Sequence, residues 1–529
     1  VAKTLSSEVS ENRQVYRRVG IISFFTLLSR ILGAVRDLVL LHVFGAGIVQ
    51  DAYVVAQTIP NALRRLTAEG SMTLAVVPVY TGVREEHGQQ AARIFARRAL
   101  GLVLFTTVVL TVLGTIFSSE IVFMFASGFE SNPEKFQLTV YLTQLMFPYL
   151  VFISVVAWAM GILNAEKKFA APAAAPILLN LGIIFGAVVL SHWVDPPIAA
   201  VAIGIVLGGI MQVVLQWPSL RHIGQSVLPL GFWRDKAIRQ LLLLLAPSLF
   251  GVAVYQINII VLRTIASTFP DGQVTYYYAA SRLTELVTGL FAFSFAAASF
   301  PELSTHSARE DWQKMFATLR FAVSGAMFII IPASIGMLVV AEPIVKMLYL
   351  HGEFTIGDAN QTVQVLRAFA ISIPALAMTR ILLPVFYSLK DSRTPVIVAS
   401  FTLPVTGALG YWFGQYYQVV GLGFGLTCGT WFQAALLYYL LRRKAHMRER
   451  FVPYADIAKY TVCALATCGL GYSLSRFGHW DAGPFALMNW VNFLSVIAIA
   501  ALGYFVVLFA VKDPHAQKLF GLMKRLARV

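Results

Sequence analysis

Ser29-Arg30-Ile31-Leu32-Gly33-Ala34-Val35-Arg36-Asp37 lies in the middle of an apolar run, residues 20–43, long enough to cross a bilayer as a helix. Each ionised side chain near a bilayer centre costs roughly 2.5–3.5 kcal/mol on insertion scales, so such groups persist where they face a polar, water-filled interior. The same conflict between charge and hydrophobicity recurs in Leu63-Arg64-Arg65-Leu66-Thr67-Ala68-Glu69-Gly70 and in Ser281-Arg282-Leu283-Thr284-Glu285. The chain is therefore expected to be a helical membrane protein enclosing a cationic cavity.

Composition supports the membrane assignment: 58% of the 529 residues are hydrophobic and 13% charged, and the mean hydropathy is +0.71. Apolar runs of bilayer length recur over 20–43, 52–82, 99–117, 136–163, 171–191, 198–220, 240–266, 275–303, 321–340, 363–388, 395–413, 420–441, 457–475 and 487–511. That makes about fourteen transmembrane helices in an all-α polytopic protein, with no separate soluble domain. Pro60 is expected to interrupt the hydrogen-bond ladder of the second helix. Residues 341–350 are read as able to form a short interfacial helix on the outer side.

The basic residues set an orientation. Of the 41 lysines and arginines, 30 fall in alternate segments (1–19, 83–98, 164–170, 221–239, 304–320, 389–394, 442–456 with Lys459, and 512–529), whereas the opposite set holds only Lys135, Lys346 and Arg476. Short cytoplasmic loops retain positive charge, so both termini are expected in the cytoplasm. This distribution along one membrane face accounts for the net charge of +15 with anionic headgroups as partners, and nucleic acid is not expected. The first twenty residues do not read as a removable signal peptide. Cys428, Cys463 and Cys468 fall inside predicted spans and imply no disulfide framework.

An internal repeat supplies the architecture. Asp51-Ala52-Tyr53 through Val77-Pro78-Val79-Tyr80 resembles Thr275-Tyr276-Tyr277 through Phe300-Pro301-Glu302-Leu303, with Pro78 and Pro301 separated by 223 positions. The same offset relates the turns Asn164–Pro172 and Ser388–Pro395. Such an offset spans six helices, and an even number preserves direction, so the halves are expected to be parallel six-helix lobes about a pseudo-two-fold along the membrane normal. The expected divisions are a cytoplasmic segment 1–19, an N-lobe 20–239, a C-lobe 240–456, two further helices over 457–511, and a basic tail 512–529. That tail reads equally as an amphipathic helix on the inner leaflet or as a solvated segment.

Helical spacing sorts the charges. Arg30 and Asp37 stand seven apart on one face, with Gly33 and Ala34 between them, while Arg36 points to another sector. Arg65 and Glu69 can pair at i,i+4, and Arg282 and Glu285 at i,i+3. Five arginines against three acids leave the cluster cationic and suited to an anion, and guanidinium forks bind phosphate oxygens in a bidentate way. The competing view is that these are structural ion pairs between helices. Arg263, at the outer end of helix 7, can snorkel; Arg367 and Arg380 are read as lining the cavity or pairing across lobes. Gly421-Leu422-Gly423-Phe424-Gly425 and the pair Gly204/Gly208 read as close helix packing.

These residues resemble a known family. Ser29–Asp37, Phe44-Gly45-Ala46-Gly47, Asp51-Ala52, and Pro60-Asn61-Ala62-Leu63-Arg64-Arg65-Leu66 with Ala68-Glu69-Gly70 are similar to the N-terminal signature of the MurJ (MviN) lipid II flippases. The likeness continues in Tyr277-Tyr278-Ala279, Ser281-Arg282-Leu283, Gly352-Glu353-Phe354-Thr355, Phe386-Tyr387-Ser388, Asp391 and Thr394-Pro395. The resemblance implies a member of the multidrug/oligosaccharidyl-lipid/polysaccharide (MOP) exporter superfamily in the bacterial inner membrane, with fourteen helices in two lobes. It also implies transport, by alternating access, of undecaprenyl-pyrophosphate-linked disaccharide-pentapeptide from the inner to the outer leaflet. By the same resemblance Arg30, Arg36, Arg64, Arg65 and Arg282, with Asp37 and Glu69, are substrate-binding residues, and Glu285 joins the set through its spacing from Arg282. Asp51 is a gate residue, and helices 13 and 14 form a groove for the prenyl tail.

No cofactor, metal site or catalytic residue is expected, and the protein is expected to act as a monomer. Some members hold sodium between helices 7 and 11, but here helix 7 offers only Gln256 and Asn258, and residues 395–413 contain neither Asp nor Asn. Membrane potential, or an ion gradient of unidentified ion, is the expected driving force. A drug or oligosaccharide exporter of the same superfamily would share the helices but not this arginine set. A membrane enzyme would need a catalytic constellation that the short outer loops do not offer.

Overall fold

The structure is a computed structural model that describes residues 2–67, 71–233, 235–444 and 451–526. Among the described residues each of the fourteen predicted spans falls on helix, and the chain divides into two compact units, Val1–Thr268 and Phe269–Val529.

The first unit contains α1 (Ala2–Phe44), α2 (Ile48–Thr67), α3 (Ser71–Ile116), α4 (Ser118–Phe125), α5 (Pro133–Met146), α6 (Tyr149–Ala165), α7 (Ala170–Val188), α8 (Ala199–His222) and α9 (Lys236–Ser267). Gly88, at φ 81°, bends α3 into two arms, the first belonging to the second predicted span and the second making the third. Pro60 lies inside α2 without ending it, and the Thr58 hydroxyl donates to the Val54 carbonyl at 2.6 Å. Asn132 and Asp235 cap α5 and α9 through the amides of Lys135 and Ile238.

The second unit contains α10 (Gln273–Ala308), α11 (Trp312–Tyr349), α12 (Ile356–Ala370), α13 (Ile373–Ser388), α14 (Arg393–Lys444), α15 (Tyr454–Ser475), α16 (Leu487–Ala510) and α17 (Pro514–Leu526). Helices α12 and α13 meet at 45° within one span. Helix α14 holds two spans, broken at Gln418 with φ 51°. Residues 341–350 make no separate outer helix: α11 continues to Tyr349, where Lys346 pairs with Glu342 at 2.7 Å and Asp481 at 2.6 Å.

Glycines bring helices into backbone contact in both units. A Cβ on Gly182 of α7 would lie 2.5 Å from the Gly204 carbonyl oxygen of α8, and one on Gly204 would lie 2.3 Å from that of Gly182. In α14 a Cβ on Gly425 would lie 2.3 Å from Cα of Gly410, so the two arms pack face to face. The glycine run opening at Gly421 is thus a packing surface.

The repeat is visible in single hydrogen bonds. After α6, Lys167 takes φ 59°, and the amide of Lys168 donates to Leu163 O at 2.7 Å. After α13, Lys390 takes φ 57°, and the amide of Asp391 donates to Phe386 O at 2.9 Å. Both turns end a helix with a left-handed residue and a six-to-one bond, and they stand 223 positions apart. Each also presents a carboxylate. Glu166 accepts from the Tyr80 hydroxyl at 2.8 Å and from Gln89 at 3.0 Å, with Arg84 3.4 Å away. Burial works against the Glu166 charge, but these hydrogen bonds and Arg84 outweigh it and hold the carboxyl below its usual range. Asp391 accepts from Thr394 and pairs with Lys444; burial opposes its charge too, yet these partners bring its carboxyl down to about 2.

Helix α9 groups with the first unit, whereas the sequence-based division at 239/240 puts its span in the second half. Its far end is stitched to that unit: Thr264 donates to the carbonyls of Met124 and Phe125, Ser267 accepts from the Gly128 amide, and Arg263 donates to Val54 O at 3.1 Å. Arg263 therefore has a carbonyl acceptor inside the unit. The tail contains the helix α17, capped by Asp513, whose carboxylate receives the His515 and Ala516 amides and pairs with Lys459. Burial of Asp513 opposes its charge, but Lys459 and these amides keep its carboxyl below the usual range.

Candidate functional site

In the first unit the charged stretch of α1 faces α7. Arg36 donates through Nε at 3.0 Å and through its NH2 nitrogen at 2.7 Å to Asp37 Oδ1, and through its NH1 nitrogen at 3.2 Å to Asn180 Oδ1. Asn180 Nδ2 donates in turn to the Ser29 carbonyl at 3.0 Å. Asp37 is 8% exposed and Arg36 half-buried. The expected geometry is corrected here: Arg36, set in a different sector by helical spacing, is the arginine that pairs with Asp37. Its long side chain folds along the helix and reaches the adjacent carboxylate.

Arg30, two turns before Asp37, is exposed and makes no hydrogen bond or ion pair among the described residues. In α2, Arg64 donates to Asn61 Oδ1 at 3.2 Å, and Arg64 and Arg65 are half-buried. Glu69, expected to pair with Arg65, lies outside the described residues.

Asp51, at the start of α2, is fully buried. Lys135 Nζ of α5 donates to its Oδ2 at 2.7 Å, with side-chain exposures of 3% for the lysine and 0% for the aspartate. The ammonium also sits 4.1 Å from the centre of the Phe129 ring. The aspartate is thus tied to a helix of its own unit.

In the second unit Arg282 of α10 donates to Glu285 Oε2 at 2.9 Å and to the Tyr278 hydroxyl at 3.2 Å, its guanidinium stacked 4.7 Å from the centre of that ring. The expected i,i+3 pair is present, and the glutamate side chain is 55% exposed. Arg380 of α13 donates to Thr288 O at 3.5 Å, and Arg367 is exposed.

Two participants escaped the sequence reading. Asn180 was the lone amide in the apolar stretch 170–190, and an isolated polar residue at that depth is itself a signal. Lys135 was counted as an outer-loop charge, although its rarity on that side and its place just after Asn132-Pro133 mark it as an anchored residue.

The chemistry such arginines can supply is oxyanion recognition. Arginines on apolar helices provide planar forks of donors, and Arg30 has no carboxylate partner among the described residues. Long apolar helices that carry arginines define the class: a polytopic α-helical membrane protein. The fold is shared by an inward-facing multidrug resistance MATE family transporter of the MOP superfamily, at a TM-score of 0.69, 15% identity and coverage of 79% of this chain and 94% of that one. The family model for the lipid II flippase MurJ matches residues 40–490, and the chain belongs to that family.

A probable lipid II flippase MurJ from Vibrio cholerae is 34% identical over 486 residues, covering 89% of this chain and 92% of that protein. A solved lipid II flippase MurJ in an inward closed conformation superposes with a TM-score of 0.78 at 26% identity, covering 93% of this chain and 99% of that one. The chain is thus a multi-pass protein of a family that sits in the bacterial inner membrane.

Proposed function

We infer that this chain flips lipid II, the undecaprenyl-pyrophosphate-linked disaccharide-pentapeptide, from the inner to the outer leaflet, and that it is a transporter rather than a catalyst. The observation that carries this reading is the set of arginines on membrane-embedded helices, with Arg30 exposed and without an acceptor among the described residues, in a chain of the MurJ family. In this reading Arg30, Arg36, Arg64, Arg65 and Arg282 take the pyrophosphate during an alternating-access cycle. Asp37, Glu69 and Glu285 restrain them until the substrate arrives, and Asp51 belongs to the outer gate.

Both termini are placed in the cytoplasm by the bias of lysine and arginine. Helices α15 and α16 receive the prenyl tail. Their exposed Leu465, Leu470, Val491, Leu494, Leu502 and Val506 present the apolar surface this requires. Another MOP-superfamily exporter would share the fold, but nothing in its chemistry calls for this arginine set.

Lipid II transfer is measured in cells depleted of their own flippase, comparing the wild type with Arg282→Ala at matched membrane levels. The wild type restores transfer. The variant loses at least about tenfold, since hydrogen bonds to charged groups contribute about 1.5–3 kcal/mol each. No transfer by well-inserted wild type moves the assignment to a different exporter, and an unaffected variant leaves Arg282 a structural ion-pair member.

A further inference from the structure

We propose that the first unit carries a binding site for one anionic phospholipid on α3, α6 and α8, with an acyl chain in an apolar crevice and the headgroup between Arg97 and Arg221. The crevice, about 180 Å³, is walled by Leu100 and Leu104 of α3, Val155 and Ala159 of α6, and Val213 and Trp217 of α8. Helix α6 packs against both α3 and α8 and forms its floor. It opens on the side where Trp217 remains 37% exposed.

Val227, in the loop that follows α8, lines its basic end. Arg93 donates to the Ile223 carbonyl at 2.7 Å, Arg97 Nε donates to the Leu228 carbonyl at 2.8 Å, and the Leu230 amide donates to Arg97 O at 3.1 Å. These bonds fix the loop on α3 and hold the Arg97 side chain against it, one turn before the lining residue Leu100. The two terminal nitrogens of Arg97 have no acceptor among the described residues, whereas neighbouring Arg98 is paired with Asp235. Arg221, one turn beyond Trp217, lies 5.6 Å from the centre of that ring and has no carboxylate partner among the described residues.

Guanidinium groups without a carboxylate partner among the described residues, one turn from the lining of an apolar crevice between membrane helices, match a phospholipid that is anionic at its head and apolar below it. Placing this crevice in the inner leaflet rests on the orientation proposed above; the binding does not.

The test is retention of dioleoylphosphatidylglycerol against dioleoylphosphatidylcholine by the full-length purified protein, read by native mass spectrometry. The wild type retains one phosphatidylglycerol in preference to phosphatidylcholine. In Arg97→Gln/Arg221→Gln retention falls about thirtyfold, each basic residue at a membrane surface contributing about fivefold. Val213→Phe, which fills the crevice and leaves both arginines, also loses it, with circular dichroism confirming that the variants remain helical.

Equal retention of the two lipids by the wild type, or undiminished phosphatidylglycerol retention by either variant, overturns the site. One-for-one displacement by undecaprenyl phosphate makes the occupant a carrier lipid and overturns it too. Failure of lipid II transfer by the wild type bears only on the transport assignment, because this measurement contains no flipping step.

Discussion

The pair of Asp51 and Lys135 is withdrawn from solvent, with side-chain exposures of 0% and 3%, and each charge compensates the other. Lys135→Met removes the ammonium from a fully buried carboxylate and costs about 3–5 kcal/mol, whereas removing both charges in Asp51→Leu/Lys135→Met costs far less. Thermal unfolding of the detergent-solubilised protein checks this: the single variant melts well below the double, and equal losses would show that the pair is not electrostatically coupled. Sequence reading named Asp51 and not Lys135, since pairing across 84 positions depends on tertiary contact. It also assigned Arg30 rather than Arg36 to the face of Asp37, because helical spacing locates Cα atoms while a guanidinium reaches several ångströms beyond its own sector. Arg282 and Glu285 were legible because their contact is local to one helix.

At the scale of elements, the turns after α6 and α13 each join a left-handed lysine to a carboxylate that fixes neighbouring helices. The carboxyl of Asp391, at about 2 in the folded protein against an ordinary 3.8, favours the folded state whenever it is ionised. That contribution is fully present above the ordinary value and is lost as pH falls through about 2. The melting-temperature advantage of the wild type over Asp391→Asn is therefore level at neutral pH and shrinks as acidification passes from about 4 to about 2. An advantage unchanged across that interval would mean that shape, not charge, holds the turn. The turns were visible in sequence because a proline opens the following helix in both, and the offset of 223 then aligned them. The carboxylate partners Tyr80 and Lys444 were not, since they arrive from other helices. The small-residue pair Gly204/Gly208 was legible, but its counterpart on α7 was recognisable only once the backbones were seen in contact.

For the whole molecule, hydropathy located fourteen spans because a helix crossing lipid must carry about 20 apolar residues whatever it packs against. The grouping of those spans was less accessible: α9 follows the basic linker yet belongs with the first unit through Thr264, Ser267 and Arg263, whose acceptors and donors no periodicity reveals. Charge asymmetry, in contrast, is a property of the whole chain and leads to a prediction about energy supply. A substrate with a pyrophosphate carries at least about two negative charges, and moving each outward across an inside-negative membrane gains about 2.3 kcal/mol per 100 mV. Intramembrane arginines oppose the desolvation of those charges without consuming the field, since they remain with the protein while the lipid leaves. In proteoliposomes containing inwardly oriented flippase and labelled lipid II, an inside-negative potassium diffusion potential accelerates outward transfer, and valinomycin with equal potassium on both sides abolishes the acceleration. Reversing the potential slows transfer below the zero-potential rate. Identical rates under all three conditions would remove the field as the driving force and leave an ion gradient to supply the work.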